Sequence, residues 1–535
     1  MATATSRRGI AGLPIQKAAF TAYRTNVVPQ SCRSKTAVLK QDQRRGHNTQ
    51  VTAHNGLASE PTPVTAHNGL TPEPESAPLS PASNVRRSIH SSRHRASAGC
   101  ADFTDGPTEH PRAPLSLLPL TMILRSLATA SVSSSPALLA PSLRIMNAIA
   151  HSSNPILNPD RNRLLHFALK KTLYDQFCAG ENAVEVNRTI DGIKGLGFTG
   201  VMLCYAREVG LSGEQARGKV SDETPELIQN EIAPWAEGTL ETVRLAQPGD
   251  FVSMKFTGAG RLALHQLSNR LPCSPYLGDS IDAICKLASE RGVRVAIDAE
   301  QDALQDGIDD WILRFARKYN RNPANPTVFG TYQAYKKCAP QLILNHLADA
   351  KKNGYTLGVK MVRGAYLNSD PRERFHDTVE DTHACFDGMT ASLLTRSWNS
   401  TVPGEGDFPD VSMIIASHNT ESVRRARAIC EAGKAKSPVA FAQLQGMADE
   451  VSCELVEAGL QRQKTSGPVK TSPRAATSTL PTFKYLVWGS TGECMKYLSR
   501  RAQENKEAVG RTRTSRDAMW AELIRRCKAA FGIAA

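Results

Sequence analysis

The 535-residue sequence predicts an α/β fold: a closed (β/α)8 barrel behind an N-terminal helical segment and a disordered leader. Three observations carry that expectation. Short apolar runs recur eight times between residues 198 and 487, most of the gaps hold a helix-length segment, and the runs are apolar throughout. Continuously apolar strands alternating with helices are the pattern of a parallel sheet covered on both faces. An open doubly wound sheet is the alternative. Against it, no G-x-G-x-x-G follows the first run, so the dinucleotide-binding fingerprint is missing.

The elements follow in order. Residues 1–41 contain no acidic residue, while Arg7, Arg8, Lys17, Arg24, Arg33, Lys35 and Lys40 are spaced by Ser, Thr and Ala, which is the composition of an organellar transit peptide. Residues 42–110, polar and proline-rich with a duplicated VTAHNGL (51–57 and 64–70), are expected to be a disordered spacer. Residues 111–190 are expected to be helical; Leu164, Leu165, Ala168, Leu169, Leu173 and Phe177 recur at helical spacing. The barrel is placed at 191–512. Its strands are Phe198–Tyr205, Phe251–Phe256, Val293–Asp298, Val328–Tyr332, Leu357–Val362, Val411–Ala416, Val439–Leu444 and Phe483–Val487. Helices are expected at Ser280–Arg291, Ala339–Lys352, Ser422–Ala432 and Thr491–Ala508. Residues 461–480, with four basic and no acidic residues, are a polar surface insertion. Residues 513–535 form an amphipathic helix with Met519, Trp520, Leu523, Ile524 and Cys527 on one face, either packed over the barrel or attached to a membrane surface.

Composition excludes several function classes. Residues 1–150 hold 16 Lys/Arg against 7 Asp/Glu and residues 151–535 hold 49 against 44, so most of the net +14 lies in the leader. A basic nucleic-acid clamp is therefore not expected. The 12 cysteines form no C-x-x-C pair and the carboxylates do not cluster, so neither a zinc site nor another metal site is expected. The most apolar leader stretch, Leu115–Val132, is interrupted by Pro119 and Arg125, short of the roughly 20 apolar residues of a spanning helix.

In a (β/α)8 barrel, chemistry sits at the C-terminal strand ends. Here those ends carry Lys255, Asp298-Ala299-Glu300, Thr331-Tyr332-Gln333, Arg363-Gly364-Ala365-Tyr366, Ser417-His418-Asn419, Gln443 and Tyr485. After the last strand, adjacent Arg500 and Arg501 leave their helix about 100° apart and can grip one anion from two sides, with Glu504 placed to brace them. Arginine suits forked carboxylate or phosphate recognition, and Lys255 across the barrel adds a third positive charge. No strong nucleophile or obvious general base stands on this rim, which points to a bound cofactor performing the difficult chemistry.

These residues lie in LGVKMVRGAYL (357–367), IASHN (415–419), FAQLQGMAD (441–449), VAIDAEQ (295–301) and YLVWGS…YLSRRAQEN (485–505). In order and spacing they resemble the mitochondrial proline dehydrogenase family, with the likeness running from about Pro111 to Phe531 and including GFTGVMLCYAREV (197–209). The resemblance implies a distorted TIM-type barrel binding FAD. It also implies oxidation of L-proline to Δ1-pyrroline-5-carboxylate, with hydride moving from C5 to flavin N5. Electrons would pass to ubiquinone, the enzyme lying peripherally on the matrix side of the inner mitochondrial membrane. By this likeness Lys255, Arg500 and Arg501 hold the proline carboxylate with Glu504 bracing the pair, and Asp298 and Tyr485 line the pocket. Gln333, Arg363, Gly364, Ala365, Tyr366, Thr382, Ser417, His418, Asn419 and Gln443 match positions that cradle FAD, with Arg363 near the flavin N5 and O4 edge. Three residues depart from the family pattern: Val379 where a lysine is expected near the FAD phosphates, Val487 for a proline, and Gln445 for an apolar residue. A hydroxyproline-preferring enzyme and a flavin barrel of the methylenetetrahydrofolate reductase kind are the competing enzyme readings.

Overall fold

The computed structural model describes residues 113–207, 222–367, 369–465, 480–504 and 509–532, without the side chains of 463–465, 504 and 509–511. The expected transit peptide, the spacer, most of the 461–480 insertion and the Glu504 side chain lie outside the described residues. Eight strands are present: β1 (Gly200–Tyr205), β2 (Phe251–Met254), β3 (Arg294–Ile297), β4 (Val328–Gln333), β5 (Leu357–Val362), β6 (Val411–Ala416), β7 (Val439–Leu444) and β8 (Thr482–Trp488). They form one closed barrel in sequence order, every neighbour parallel. β1 closes on β8 from Gly200↔Phe483 to Tyr205↔Trp488, which removes the open-sheet alternative. Lys255 and Asp298, read as strand residues, fall just past β2 and β3.

The pleat divides each strand between two environments. Outward residues such as Val252, Val295, Val359 and Met413 join the helix-facing core. Inward residues fill the bore in two zones. At the N-terminal end Phe251 meets Phe329 and Phe483 edge-on, with ring centroids 5.6 and 5.0 Å apart. The Arg294 guanidinium lies 3.7 Å from the Phe251 ring centroid and closes this apolar plug. Gly358 leaves room for it, since a Cβ there would meet the Val328 carbonyl and the Phe329 ring. Towards the C-terminal ends the bore becomes polar, with Ser253, Thr331 and Lys360 on the strands and Asp298 just beyond, all buried.

The N-terminal segment is helical from Leu120–Ser134 and Pro136–Ala150 through Ala183–Gly195. The helix expected over 161–177 is divided by a π-helical turn, Lys170–Tyr174, and its leading apolar residue faces solvent: Leu164 is 79% exposed. The C-terminal helix, Val509–Ala530, packs against Leu120–Ser134, burying Met519 with Leu115, Leu118 and Ile123. Arg526 donates to the carbonyls of Leu115, Ser116 and Leu118 while Glu522 holds both Arg525 and Arg526. Packing, of the two expectations for this helix, accounts for Met519 and Leu523, whereas Trp520 and Ile524 remain exposed. No helix among the described residues is long and apolar enough to cross a membrane.

One carboxyl group sits among apolar neighbours in the helical layer. Asp309, on helix Asp302–Tyr319 beside Ile308 and Trp311, has Gln305 Nε2 at 2.9 Å as its hydrogen-bond donor. Burial pushes its carboxyl up to about 7. The folded chain therefore holds a proton that the unfolded chain releases near pH 4, and stability falls as pH rises between about 4 and 7. Asp309→Asn is expected to flatten that dependence and to raise the melting temperature at pH 8; thermal melts of both proteins across this range check it.

Candidate active site

The polar zone of the bore is organised by one carboxylate. Asp298, one residue beyond β3, continues the inward phase of Ala296. Its Oδ1 accepts from Ser253 Oγ at 2.7 Å and from Lys360 Nζ at 2.5 Å, and its Oδ2 accepts from Lys255 Nζ at 2.6 Å and Tyr485 OH at 3.2 Å. Donors from three strands, β2, β5 and β8, thus converge on two oxygen atoms. Burial favours the neutral acid, but the Lys255 and Lys360 charges overcome it and hold the Asp298 carboxyl well below the usual range. Burial likewise works against the Lys255 ammonium, and Asp298 reverses this, raising Lys255 above an ordinary lysine. The Tyr485 phenol is pushed far up by burial and then by the Asp298 charge, so it stays a neutral donor.

Around this cluster stand the other predicted substrate residues. Helix Thr491–Glu504 follows β8 and places the guanidinium carbons of Arg500 and Arg501 5.8 and 5.5 Å from the Tyr497 ring centroid. Arg501 lies close enough to act on the ionisation of Lys255, Tyr366 and Tyr497. Arg501 therefore adds positive charge to the surroundings of Lys255. Glu300 adds a carboxyl that accepts from the Thr257 amide and hydroxyl, and burial raises it above an ordinary glutamate.

The residues matched to a cofactor cradle form an arc from β4 to β7. Gln333 ends β4 in the inward phase; its Oε1 accepts from Tyr335 OH at 3.1 Å, and its Nε2 is buried without a hydrogen-bond partner. Gly364 has φ +141°, and a Cβ there would strike the Tyr335 ring. The same Tyr335 hydroxyl accepts from the Tyr366 amide at 3.1 Å, so the Gly364-Ala365-Tyr366 turn is seated on that side chain. Arg363 leaves β5 in the outward phase. Its Nη1 and Nη2 donate to Ser417 and Ser422 hydroxyls, both at 2.7 Å, its Nε faces His383 Nδ1 at 3.3 Å, and it stacks on Phe386. His418 Nε2 accepts from the Leu444 amide at 3.0 Å, so that nitrogen is unprotonated in this arrangement. Asn419 caps helix Thr420–Glu431 through its side chain. Gln443 also points outward, donating to the Ser417 carbonyl and accepting from Ser452. Thr382 and exposed Val379 lie in the first turn of helix Val379–Thr395, where Thr378 caps the Asp381 amide. Of the other two departures, Val487 is buried in the bore, and Gln445 is buried with Oε1 unpartnered.

Sequence reasoning missed Lys360, Ser253 and Tyr497. Lys360 had a readable signal, since it is the charged residue inside the apolar run LGVKMV and its strand parity matches inward Gly358. Lys484, also overlooked, has the opposite parity and pairs with Asp449 at 2.6 Å behind the barrel wall.

A family model described as proline dehydrogenase matches residues 186–514, which takes in all eight strands and the arginine pair. The chain belongs to the proline dehydrogenase family. That makes it a member of a family of oxidoreductases that act on proline. Curated relatives include a probable mitochondrial proline dehydrogenase of Schizosaccharomyces pombe, 28% identical over 410 residues, covering 66% of this chain and 79% of the relative. Mitochondrial proline dehydrogenase 1 of Caenorhabditis elegans is 34% identical over 251 residues and that of Homo sapiens 32% over 255. These cover 45% and 46% of this chain, which spans only 37% and 38% of those two relatives. Among solved structures, proline utilization A of Bdellovibrio bacteriovorus shares the fold with a TM-score of 0.51 at 16% identity, over 72% of this chain and 38% of that one.

Asp298→Asn would leave Lys255 and Lys360 buried without a counter-charge, a loss on the order of 3–5 kcal/mol at neutral pH. The unfolded chain then binds more protons than the folded one, so stability should rise again with pH. Denaturant melts of this variant at pH 7 and pH 10 check both the loss and the recovery.

Proposed function

We propose that the chain is an FAD-dependent proline dehydrogenase acting in the mitochondrion, oxidising L-proline to Δ1-pyrroline-5-carboxylate and passing electrons to ubiquinone. The observation that carries this is the cationic rim, with Arg500 and Arg501 above a bore lined by Lys255, Asp298 and Tyr485. Proline offers one carboxylate and an otherwise apolar ring. Lys255, Arg500 and Arg501 match the carboxylate, and each charge-assisted hydrogen bond contributes about 1.5–3 kcal/mol. Tyr485 and Tyr497 supply ring surface beside it. Fixing the carboxylate orients the far ring carbon, a positioning role that needs no protein nucleophile.

The residues fit a flavin at three points. Gln333 Nε2 is a buried donor awaiting an acceptor, the Gly364 turn is as close to Tyr335 as a residue without Cβ allows, and Arg363 with His418 provides polar groups along the same arc. FAD, when bound, supplies the two-electron acceptor for oxidation of the ring C–N bond. Gln333, Arg363, Gly364, Ala365, Tyr366, Thr382, Ser417, His418, Asn419 and Gln443 are the residues proposed to hold it. For Arg363 to act on the flavin, it would exchange part of its hydrogen bonding with Ser417, Ser422 and His383.

A membrane surface is the proposed source of ubiquinone, and the outer face of the N-terminal helical segment supports it better than the C-terminal helix. Helix Pro136–Ala150 carries only Arg144 as a charge and buries only Ala150, leaving Leu138 and Ile145 outward. Ile156, Leu164 and Phe167 in the segment that follows are exposed too, beside exposed Arg161, Arg163 and Lys171 in the sequence, a composition that suits anionic lipid. The same helix packs against Thr491–Glu504, which bears the arginine pair.

Purified protein is expected to show visible flavin absorption that bleaches with L-proline, and to reduce a soluble quinone with formation of pyrroline-carboxylate. Absence of L-proline turnover by flavin-loaded protein would overturn the reading, and a preference for hydroxyproline would revise it. Gly364→Ala is expected to displace Tyr335 and lower flavin content per chain severalfold, measured on denatured extracts. Ile145→Glu with Phe167→Glu is expected to abolish sedimentation with phosphatidylglycerol vesicles while soluble-quinone activity persists. Vesicle binding equal to the parent chain would remove this face from consideration.

A further inference from the structure

We infer that Lys360 is a positioning residue for substrate binding: as the resident counter-ion of Asp298, it frees Lys255 to engage the carboxylate of proline. This rests on the proline dehydrogenase reading and extends it to a residue outside the expected carboxylate clamp.

Lys255 and Lys360 both come from the bore side of their strands, and each ammonium has Asp298 as its hydrogen-bonded partner, at 2.6 and 2.5 Å on opposite oxygens. The side chains of Lys255, Lys360 and Asp298 are only 9%, 7% and 10% exposed, so each ammonium has little water to turn to when its partner is lost. Two cations on one carboxylate leave the trio with one positive charge in excess. A lone Lys255–Asp298 pair would be neutral and closed, and drawing Lys255 onto a substrate would strand the aspartate. With Lys360 on Oδ1 and Ser253 completing that oxygen, Oδ2 can give up Lys255 and keep Tyr485, while the arriving carboxylate takes the surplus charge. The occupied site then holds two ion pairs, Lys360–Asp298 and Lys255–carboxylate. Lys360 stays with Oδ1, where its ammonium lies 5.3 Å from the Tyr485 ring centroid.

The groups facing Asp298 are Lys255 from β2, Lys360 from β5, Tyr485 from β8, Cys204 from β1 and Glu300 from its own segment. Tyr366 and Tyr497 stand further out, and Arg501 acts on Lys255. Of the two cations on the carboxylate, Lys360 is the one that stays when Lys255 leaves. Without it the carboxylate takes up a proton at higher pH, so the acid limb of kcat/KM should move upward.

The test is Lys360→Met in the flavin-loaded full chain, with L-proline and a soluble quinone. The expected result is a KM for L-proline raised about ten- to hundredfold, kcat changed by less than about threefold, and the acid limb displaced to higher pH. Lys360→Arg should restore both parameters. Lys360→Gln keeps a hydrogen-bond donor without the charge, should reproduce the KM rise, and serves if the methionine variant does not fold. An unchanged KM, a loss confined to kcat, or a KM rise with no movement of the acid limb would each overturn the inference. A parent chain that loads flavin but turns over no L-proline would instead fail the functional reading itself.

Discussion

The buried Asp298 carboxylate is the constraint on which the upper barrel depends. A closed eight-stranded bore is filled by side chains and ordinarily apolar, and here its N-terminal half conforms, with three phenylalanines packed edge-to-face and closed at the N-terminal end by Arg294. Above that plug a carboxylate has been taken out of water. It is tolerable only because each oxygen has two donors and the flanking lysines together outweigh the desolvation of the charge. The residues that meet those demands, Ser253, Lys255, Lys360 and Tyr485, come from three different strands besides its own. The charge thus ties β2, β3, β5 and β8 together across the bore, and it holds an ammonium and a phenol where the substrate is proposed to sit.

The helical layer is joined to the same rim by polar contacts rather than by packing alone. Gln176 donates to Ser126, and Ser126 to Asp449, which pairs with Lys484. Lys484 reaches Ser452, Ser452 meets Gln443, and Gln443 donates to the Ser417 carbonyl beside Arg363. The N-terminal helices are therefore connected by buried hydrogen bonds to the arc proposed to hold the cofactor. This gives Gln443 a structural partner on each side of its amide, and it explains how a lysine within β8 is accommodated on the outer wall. Such a network is costly if broken, because each member is buried and would lose its partner without gaining water.

Much of the site was legible because barrel chemistry collects at strand ends, and the strand ends could be found from apolar runs alone. Lys255, Asp298, Gln333 and Tyr485 were recognisable as polar residues terminating or interrupting such runs. Lys360 obeyed the same rule but lay mid-strand, where a lysine reads as an edge or surface residue unless its parity is followed into the bore. Arg363 shows the opposite limit. Its position at the end of β5 was correct, yet the direction of its guanidinium, towards Ser417, Ser422 and His383, depends on which way the pleat turns at the last strand residue. The C-terminal helix was expected with its amphipathic face, but sequence left two surfaces competing for that face.

Taken by itself, the sequence determined the repeating strand–helix order and, through the likeness of its motifs, the family. Local periodicity carries the first and whole motifs the second, whereas closure of the barrel rests on the pairing of β1 with β8. Only the tertiary structure decided which ammonium pairs with which carboxylate, that two lysines share Asp298, and that helix Val509–Ala530 spends its buried face on Leu120–Ser134. Those outcomes hang on distances between strands far apart in sequence, where a few ångströms in a medium of low dielectric separate a stable charge from one the fold could not hold.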